Sequence, residues 1–356
     1  MSTPPGRATE ASEQSLPEAP HARAGHGLEM PVRRRTLGAL GLVAATWLGA
    51  CTPLPSRPLM VGMNAWVGYD PLVLARDQRL LDEQQIKLVE LASSSETLRH
   101  FRNGLIDAAA LTLDETLRMA DEGQDVRLVA VLSVSSGADV VMAVPEIRTP
   151  AQLKGASIAV EQSTVGALML QRLLQAGRLQ APDVTVVNLE AIRHLQALRS
   201  QRVQASVSYA PWSEALRAAG YRTLFDSSAM PGDIVDVLVV RGSVLHVRAP
   251  QVDALVRGWQ LGWEALKKDP QRAAELLAPG VDLSPADYRA TLAGLRYFTP
   301  AQSLGWLSGR PPVIAQQAEA LASALQDMGL IRQRPDWGRI VAPEAAQRVT
   351  PEGAAE

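Results

Sequence analysis

The sequence is poor in cysteine, histidine and aromatic residues, and each shortage narrows the classes of protein that it can encode. Its 356 residues include one Cys and five His, and aromatic residues make up 4%. A single Cys excludes a disulfide framework and a Cys-based metal cluster. The His residues show none of the spacings that bind zinc. We therefore predict neither a metal nor a cofactor.

The chain also lacks an excess of charge of either sign. It carries 35 Lys+Arg against 37 Asp+Glu, a formal net charge of −2. Proteins that bind nucleic acid usually have a basic excess, so no nucleic-acid partner is expected. The sequence contains no Gly-x-Ser-x-Gly, no Walker loop and no His-Glu-x-x-His. These absences favour a binding protein over an enzyme.

The first 57 residues differ in composition from the remainder. Residues 1–29 are polar, which is typical of a disordered segment or of a start codon assigned too early. Residues 30–50 combine a basic start, an apolar run of about a dozen residues and small residues, the order of a secretory signal. They resemble a bacterial lipoprotein signal, cleaved before a lipid-bearing Cys51, although a buried apolar helix is an alternative. Residues 51–57 would then be a tether to the membrane.

Strands and helices alternate along the first two thirds of the remaining chain. Capping-box spacings at Ser93 and Thr112 each follow a short apolar strand and predict the start of a helix. This alternation predicts an α/β fold. After Pro250 the pattern predicts helices alone, over residues 251–268, 270–277, 285–297 and 313–328.

Three motifs carry a resemblance to a known family. An aromatic-glycine-aromatic loop at residues 66–69 leads into a Pro-Leu helix, and similar signatures occupy residues 103–109 and 149–155. In this order they resemble the substrate-binding proteins of ABC importers of the nitrate, sulfonate and thiamine-pyrimidine group. The resemblance covers about residues 59–268, most of the chain after Cys51.

This resemblance implies a two-lobed periplasmic binding protein fold of type II, with a cleft between lobes that a two-strand hinge joins. Residues 58–144 and 243–345 would form lobe 1, residues 145–242 lobe 2, and residues 346–356 a tail.

The lipoprotein-like signal independently predicts a lipid anchor at the periplasmic face of a bacterial membrane, which fits this family, and we expect a monomer. It would capture a small organic ligand by lobe closure and deliver it to an ABC permease and its ATPase. Two alternatives stay open. One is a ligand sensor without transport, and the other is an enzyme similar to the pyrimidine-precursor synthase, whose Cys-rich motif this sequence lacks.

Candidate binding residues lie in the loops that follow predicted strands, because ligands of open α/β sheets bind beyond the carboxyl ends of the strands. Aromatic rings there can stack on a flat ligand. Hydroxyls at helix N-termini can contact it or simply cap the helix, and carboxylates can bind an amine, an amidine or an aminopyrimidine. The candidates are Asn64, Trp66, Tyr69, Ser94, Ser95, Thr112, Asp114, Gly137, Asp139, Gln162, Ser163, Thr164, Tyr209 and Trp212.

Several of these residues have a purely structural alternative. Trp66 could fill the core or the lobe interface, and Trp212 could pack under its own helix. Asp236 lies inside an apolar strand, where we expect a hinge or helix-end hydrogen bond instead of ligand contact. His100 and His194 are expected at the surface. Aromatic rings and carboxylates favour a flat, aminopyrimidine-like ligand, whereas the hydroxyls leave a sulfonate-like ligand open.

Overall fold

The computed structural model describes residues 57–350. The predicted signal at residues 30–50 and the predicted lipid site Cys51 lie outside the described residues. None of the helices between residues 57 and 350 is both long and apolar enough to cross a membrane.

Eleven strands of the described chain form two sheets, a six-stranded sheet 1 and a five-stranded sheet 2. In chain order the strands are β1 (Leu59–Asn64), β2 (Ile86–Leu91), β3 (Ala108–Thr112), β4 (Val126–Ser135), β5 (Asp139–Ala143), β6 (Ser157–Val160), β7 (Thr185–Asn188), β8 (Ala205–Tyr209), β9 (Arg222–Asp226), β10 (Val235–Arg241) and β11 (Leu295–Tyr297).

Helices cover both sheets, and several begin directly after a strand. They are α1 (Asp70–Asp77), α2 (Ser94–Arg102), α3 (Leu113–Asp121), α4 (Thr164–Gly177), α5 (His194–Arg199), α6 (Trp212–Ala218), α7 (Gly242–Leu245), α8 (Ala249–Lys268), α9 (Pro270–Leu277), α10 (Pro285–Leu292), α11 (Pro300–Leu307), α12 (Val313–Gln317), α13 (Glu319–Asp327), α14 (Trp337–Ile340) and α15 (Glu344–Val349). Short 3-10 turns lie at Val67–Tyr69, Pro150–Leu153, Ala181–Asp183, Ala191–Arg193, Ser227–Ala229 and Ala278–Val281.

The two sheets share one plan, a parallel core with one antiparallel strand next to it. In sheet 1, of order β11-β4-β10-β3-β1-β2, β10 runs antiparallel between β3 and β4. In sheet 2, of order β7-β6-β8-β5-β9, β5 runs antiparallel between β8 and β9. The first residues of β10 and β5 therefore lie beside the carboxyl ends of their parallel neighbours, the edge at which ligands bind in such sheets.

The chain passes between the sheets twice, at positions that differ from the predicted lobe boundaries. Residues 136–138 lead from β4 to β5, and residues 227–234 lead back from β9 to β10. Thus residues 139–143 belong to sheet 2 and residues 235–241 to sheet 1, the reverse of the predicted lobes. An apolar strand has the same sequence pattern in either sheet, so the pattern does not indicate which strands it pairs with.

The end of the chain contains more regular structure than the sequence predicted. The helix predicted over residues 285–297 ends at Leu292, and β11 pairs with β4 at the edge of sheet 1. The helix predicted over residues 313–328 is divided into α12 and α13. The predicted tail at residues 346–356 begins inside α15, whose Ala345 and Val349 are buried against the body of the protein.

The apolar core is continuous between the sheets. Buried side chains of sheet 1, such as Leu111 and Val131, belong to the same cluster as Val141 and Ile158 of sheet 2. A second cluster lies on the other face of sheet 1, where α1 packs against α8. These contacts fix the loops at the carboxyl ends of both sheets.

Candidate functional site

A cavity lies between the carboxyl-end loops of the two sheets. About 330 Å³ of empty space lies among its lining residues, a figure that includes the open mouth. Seven of the predicted residues meet there. The lining residues are Asn64, Trp66, Tyr69, Ser94, Thr112, Glu115, Asp139, Val165, Tyr209, Ile234 and Asp236.

Two aromatic rings from different sheets form one wall. Trp66 follows β1 and Tyr209 ends β8, and their rings meet edge to face at 5.7 Å and 87°. Gly68 is required for this arrangement, because a Cβ at that position would lie 2.2 Å from the Trp66 Nε1. The loop sequence Trp-Val-Gly-Tyr thus folds the indole back over its own backbone and into the cavity wall.

Two aspartates stand at the amino ends of the antiparallel strands, where the topology turns them towards the cavity. Asp236 is 0% exposed, and its Oδ2 accepts hydrogen bonds from Ser133 Oγ at 2.5 Å and from Trp66 Nε1 at 3.1 Å. Asp139 is 7% exposed, and its backbone N–H donates to Ser135 Oγ. Asp236 therefore bonds to a neighbouring strand and to the loop after β1, not to a hinge or a helix end as expected, and it also lines the cavity.

Burial raises the pKa of both aspartates. The loss of hydration disfavours the charged form, which raises the pKa of Asp139 to about 7 and that of Asp236 to about 6. The Oδ1 of Asp236 and the Oδ2 of Asp139 have no hydrogen-bond partner among the described residues. The site thus contains two acceptors that a ligand can satisfy.

Replacing Asp139 by asparagine is expected to raise the thermal unfolding midpoint by an amount that grows as the pH rises from the ordinary pKa, 3.8, to about 7 and stays constant above it. The folded protein holds the proton of Asp139 up to about pH 7, whereas the ordinary pKa is 3.8. The stability that this proton provides is complete below the ordinary pKa and is lost as the pH rises through about 7. The asparagine amide does not titrate. The difference in unfolding free energy between the two proteins therefore grows by up to about 1.4 kcal/mol per pH unit between the two pKa values.

Thermal melts of both proteins between about pH 5 and about pH 8 measure this difference. His194, whose pKa burial lowers to about 4, titrates in both proteins and cancels. A difference that stays constant over the whole range would contradict the assignment.

Two further carboxyl groups stand at the start of α3. Glu115 lines the cavity and accepts hydrogen bonds from the Ser94 hydroxyl and from the Thr112 N–H, the latter at 3.2 Å. Asp114 is fully buried behind the cavity, and neither of its oxygens has a partner among the described residues. Burial raises the pKa of both groups. Glu115 thus makes its part of the predicted capping box with the Thr112 N–H, whereas the Thr112 hydroxyl has no hydrogen-bond partner among the described residues.

A fifth carboxyl group, that of Glu161, connects the loops of the two sheets. Glu161 follows β6, and its Oε1 accepts hydrogen bonds from Ser95 N and Ser95 Oγ, both at 2.9 Å. Its Oε2 accepts from the Tyr209 hydroxyl at 3.4 Å. Ser95 also donates to the backbone oxygen of Gln162 at 3.3 Å. The predicted Ser95 and Gln162 are thus part of a contact between α2 and sheet 2 beside the cavity.

The remaining predicted residues lie elsewhere. Ser163 caps α4 by accepting from the N–H of Gly166, and the adjacent Thr164 is buried. Gly137 lies in the first crossing, where its N–H donates to Ser227 Oγ at 2.7 Å. Trp212 lines a separate hollow beside α6. None of these four predicted residues is among those that line the cavity.

Four residues at or beside the cavity were missed as candidates. Glu115 was treated only as a capping partner. Glu161 follows β6 directly, so the rule that selected Asn64 after β1 would have found it. Val165 and Ile234 are apolar, and nothing in the sequence distinguishes them from ordinary core residues.

The expectation that His194 is a surface residue is wrong. Its ring is fully buried at the start of α5, and its Nε2 lies 3.1 Å from the backbone oxygen of Leu189. Between residues 57 and 350, no group of three or more His, Cys, Asp or Glu side chains is arranged to hold a metal ion.

Comparison with known proteins identifies the family. The model of the NMT1-like family matches residues 52–278, more than half of the chain, so the chain belongs to the NMT1-like family. This range agrees with the span over which the motifs indicated a resemblance. The predicted family is confirmed.

Individual relatives show how far the likeness extends. A protein of Brachyspira hyodysenteriae named as an ABC transporter periplasmic binding protein is 24% identical over 127 residues. This match spans 36% of the present chain and 37% of that relative.

Two solved structures share the fold. The alkanesulfonate-binding protein SsuA from Xanthomonas axonopodis pv. citri, bound to MOPS, has a TM-score of 0.68 and 23% identity, over 81% of this chain and 99% of its own. The desulfurization enzyme DSZB has a TM-score of 0.60 and 18% identity, over 82% and 98%. The fold is thus the two-sheet α/β fold of periplasmic binding proteins, as predicted.

Proposed function

We propose that this protein is the solute-binding component of an ABC importer and that it holds a small organic ligand in the cavity between its sheets. The observation that carries the proposal is the convergence of aromatic rings and unsatisfied carboxyl oxygens, from both sheets, on one cavity. The name of the Brachyspira relative and the shared fold with SsuA support the same function. The partners would be a membrane permease and its ATPase.

In this proposal each sheet, with its helices, is one lobe, and the ligand is captured by lobe closure. The two crossings would be the hinge. They are held together by Ser227, whose Oγ lies 2.8 Å from Ser135 Oγ and accepts from the Gly137 N–H. The contacts of Trp66 with Tyr209 and of Ser95 with Glu161 then join the lobes on the ligand side of the hinge.

Replacing Glu161 by alanine is expected to favour the open form of the ligand-free protein. The substitution removes the two hydrogen bonds that Ser95 donates across the cleft. Hydrogen bonds to a charged group contribute about 1.5–3 kcal/mol, enough to shift the equilibrium between open and closed forms about tenfold or more. Small-angle X-ray scattering would then give a larger radius of gyration than in the unsubstituted protein.

The exposed Glu146, in the turn that follows β5, offers a matched control. Glu146→Ala removes the same side chain without touching the cleft, and the radius of gyration should not change. Equal radii for the Glu161 and Glu146 variants would argue against a contact that holds the lobes together.

Lipid anchoring at Cys51 and a position at the periplasmic face belong to the same proposal, with a monomer as the working form. They are supported by the order of basic, apolar and small residues in 30–50, directly before the chain's single Cys. Labelled fatty acid should enter the protein and should fail to enter a Cys51→Ser variant.

The experiment that tests the function is a thermal-shift screen against aminopyrimidines, sulfonates, nitrate, amines and amino acids. A ligand at about 100 times its dissociation constant adds about 2.7 kcal/mol to the stability of the folded state. Uptake of the stabilising compound by cells that carry the permease would distinguish transport from sensing. The fold shared with DSZB makes turnover of the same compound the test of an enzymatic alternative.

A further inference from the structure

Resting on the proposed solute-binding function, we propose that the ligand is a small organic cation, a protonated amine or amidine whose N–H groups donate to Asp139 and Asp236.

The first argument for a cationic ligand is the charge of the cavity. Three carboxyl groups line it, those of Glu115, Asp139 and Asp236, and its lining contains no Lys, Arg or His. Glu161 and Asp114 lie directly beside or behind the wall. An anionic ligand would enter a site with fixed carboxyl groups and no cationic partner, whereas a cation is attracted by every ionised group there.

The second argument is that two carboxyl oxygens in the cavity have no hydrogen-bond donor. Asp236 Oδ1 and Asp139 Oδ2 have no hydrogen-bond partner among residues 57–350, although both side chains are more than nine-tenths buried. Glu115 is different, since Ser94 and Thr112 already donate to it. Two unsatisfied buried acceptors in one cavity wall are matched by a ligand with at least two N–H donors.

The third argument is the aromatic wall of the cavity. Tyr69 also lines the cavity, beside Trp66 and Tyr209. Aromatic faces attract a desolvated cation, and the attraction is strongest for Trp. The wall thus offers contact to the apolar part of an organic cation and also to its charge.

Binding of the cation is linked to the release of protons. Asp139 faces Asp236 and Glu115, with the Ser135 hydroxyl beside it. Asp236 faces the hydroxyls of Ser133 and Tyr69 and the indole of Trp66, and Tyr297 lies near it. Glu115 faces Asp114 and Glu161. No basic side chain is among these neighbours, and burial raises the pKa of Asp139 to about 7 and that of Asp236 to about 6, so at about pH 6.5 the two together hold about one proton until a cation displaces it.

The experiment compares matched ligands that differ only in charge. Benzamidine, benzamide and benzenesulfonate form one series, and butylamine, butanol and butanesulfonate form another. We expect the cation of at least one series to raise the thermal midpoint, while its neutral and anionic partners do not. If a sulfonate or a neutral compound stabilises the protein as much as the cation does, or more, the proposal of a cationic ligand is overturned. The proposal of solute binding would then still stand. A screen without any shift would overturn both proposals.

Calorimetry then tests the two aspartates and the proton linkage. Titration of the stabilising cation in buffers of different ionisation heat should show release of about one proton near pH 6.5, and affinity should rise with pH by up to about tenfold per unit. Asp139→Asn and Asp236→Asn should each weaken binding at least about tenfold. The exposed Asp327 offers the control variant Asp327→Asn, which should bind as the unsubstituted protein does. Full affinity in both cavity variants, or uptake of protons on binding, would overturn the inference.

Discussion

Replacing Trp66 by alanine is expected to lower the free energy of unfolding by about 3–5 kcal/mol and to weaken ligand binding strongly. The indole is 5% exposed, and it fills the space between the loop after β1 and Tyr209. Its removal leaves a void in the wall between the two sheets and deprives Asp236 of a hydrogen bond. Denaturant unfolding and calorimetry with a ligand from the thermal-shift screen measure the two effects.

Two further variants separate the functions of the ring. Trp66→Phe keeps an aromatic wall but removes the N–H that donates to Asp236, so it should retain most of the stability and lose part of the affinity. Trp259→Ala removes an equally buried indole, 3% exposed, that does not line the cavity. It should lose comparable stability and keep its affinity for the ligand. If a folded Trp66→Ala binds as tightly as Trp259→Ala does, Trp66 is only a core residue.

The sequence was most informative where one physical rule applied directly. Loops after parallel strands share one edge of a sheet, so Asn64, Trp66 and Ser94 could be predicted to lie together. The helix starts at Ser93 and Thr112 followed from capping chemistry, which depends on residues only three apart. Short-range rules of this kind operate before any tertiary contact is known.

The carboxyl groups of the cavity could be predicted only in part, since Asp139 is a candidate from the sequence whereas Asp236 and Glu115 are not, and their meeting depends on strand pairing. Asp139 lies opposite Tyr209 only because β5 runs antiparallel to β8, and Asp236 lies opposite Thr112 only because β10 runs antiparallel to β3. Both pairings follow from the places at which the chain crosses between sheets. No local pattern distinguishes a strand before a crossing from one after it, so Asp236 was interpreted as structural.

The sequence also could not predict which polar residues are buried. His194 begins a short helix whose outer face could not be assigned from six residues, and its ring is covered by the fold of sheet 2. Glu161 and Ser95 are far apart in the chain, and their hydrogen bonds exist only because the two sheets meet. Contacts between distant segments thus determine the burial of His194 and the hydrogen bonds of Glu161, although Glu161 itself directly follows β6.

Replacing Gly262 by alanine is expected to destabilise the protein by about 3 kcal/mol, the upper end of the usual cost of overpacking, although the change adds a single methyl group. Gly262 lies on α8 where that helix crosses α1, and a Cβ there would lie 1.8 Å from the backbone oxygen of Pro71. Backbone cannot yield as a flexible side chain does, so the two helices must move apart. Because α1 follows the loop of Trp66 and Tyr69 directly, that movement also displaces the aromatic wall and should weaken ligand binding.

Gly305 offers the matched control, since it lies in the interior of α11 and no atom lies within 4 Å of an added Cβ. Gly305→Ala should stabilise the protein by about 0.5–1 kcal/mol, because alanine loses less backbone entropy than glycine in a helix. Chemical denaturation of the two variants therefore compares the same substitution with opposite expected signs. Similar stabilities for both would show that α1 and α8 do not need their close approach. The cavity wall would then depend on the loop after β1 alone, and ligand affinity should be unaffected in both variants.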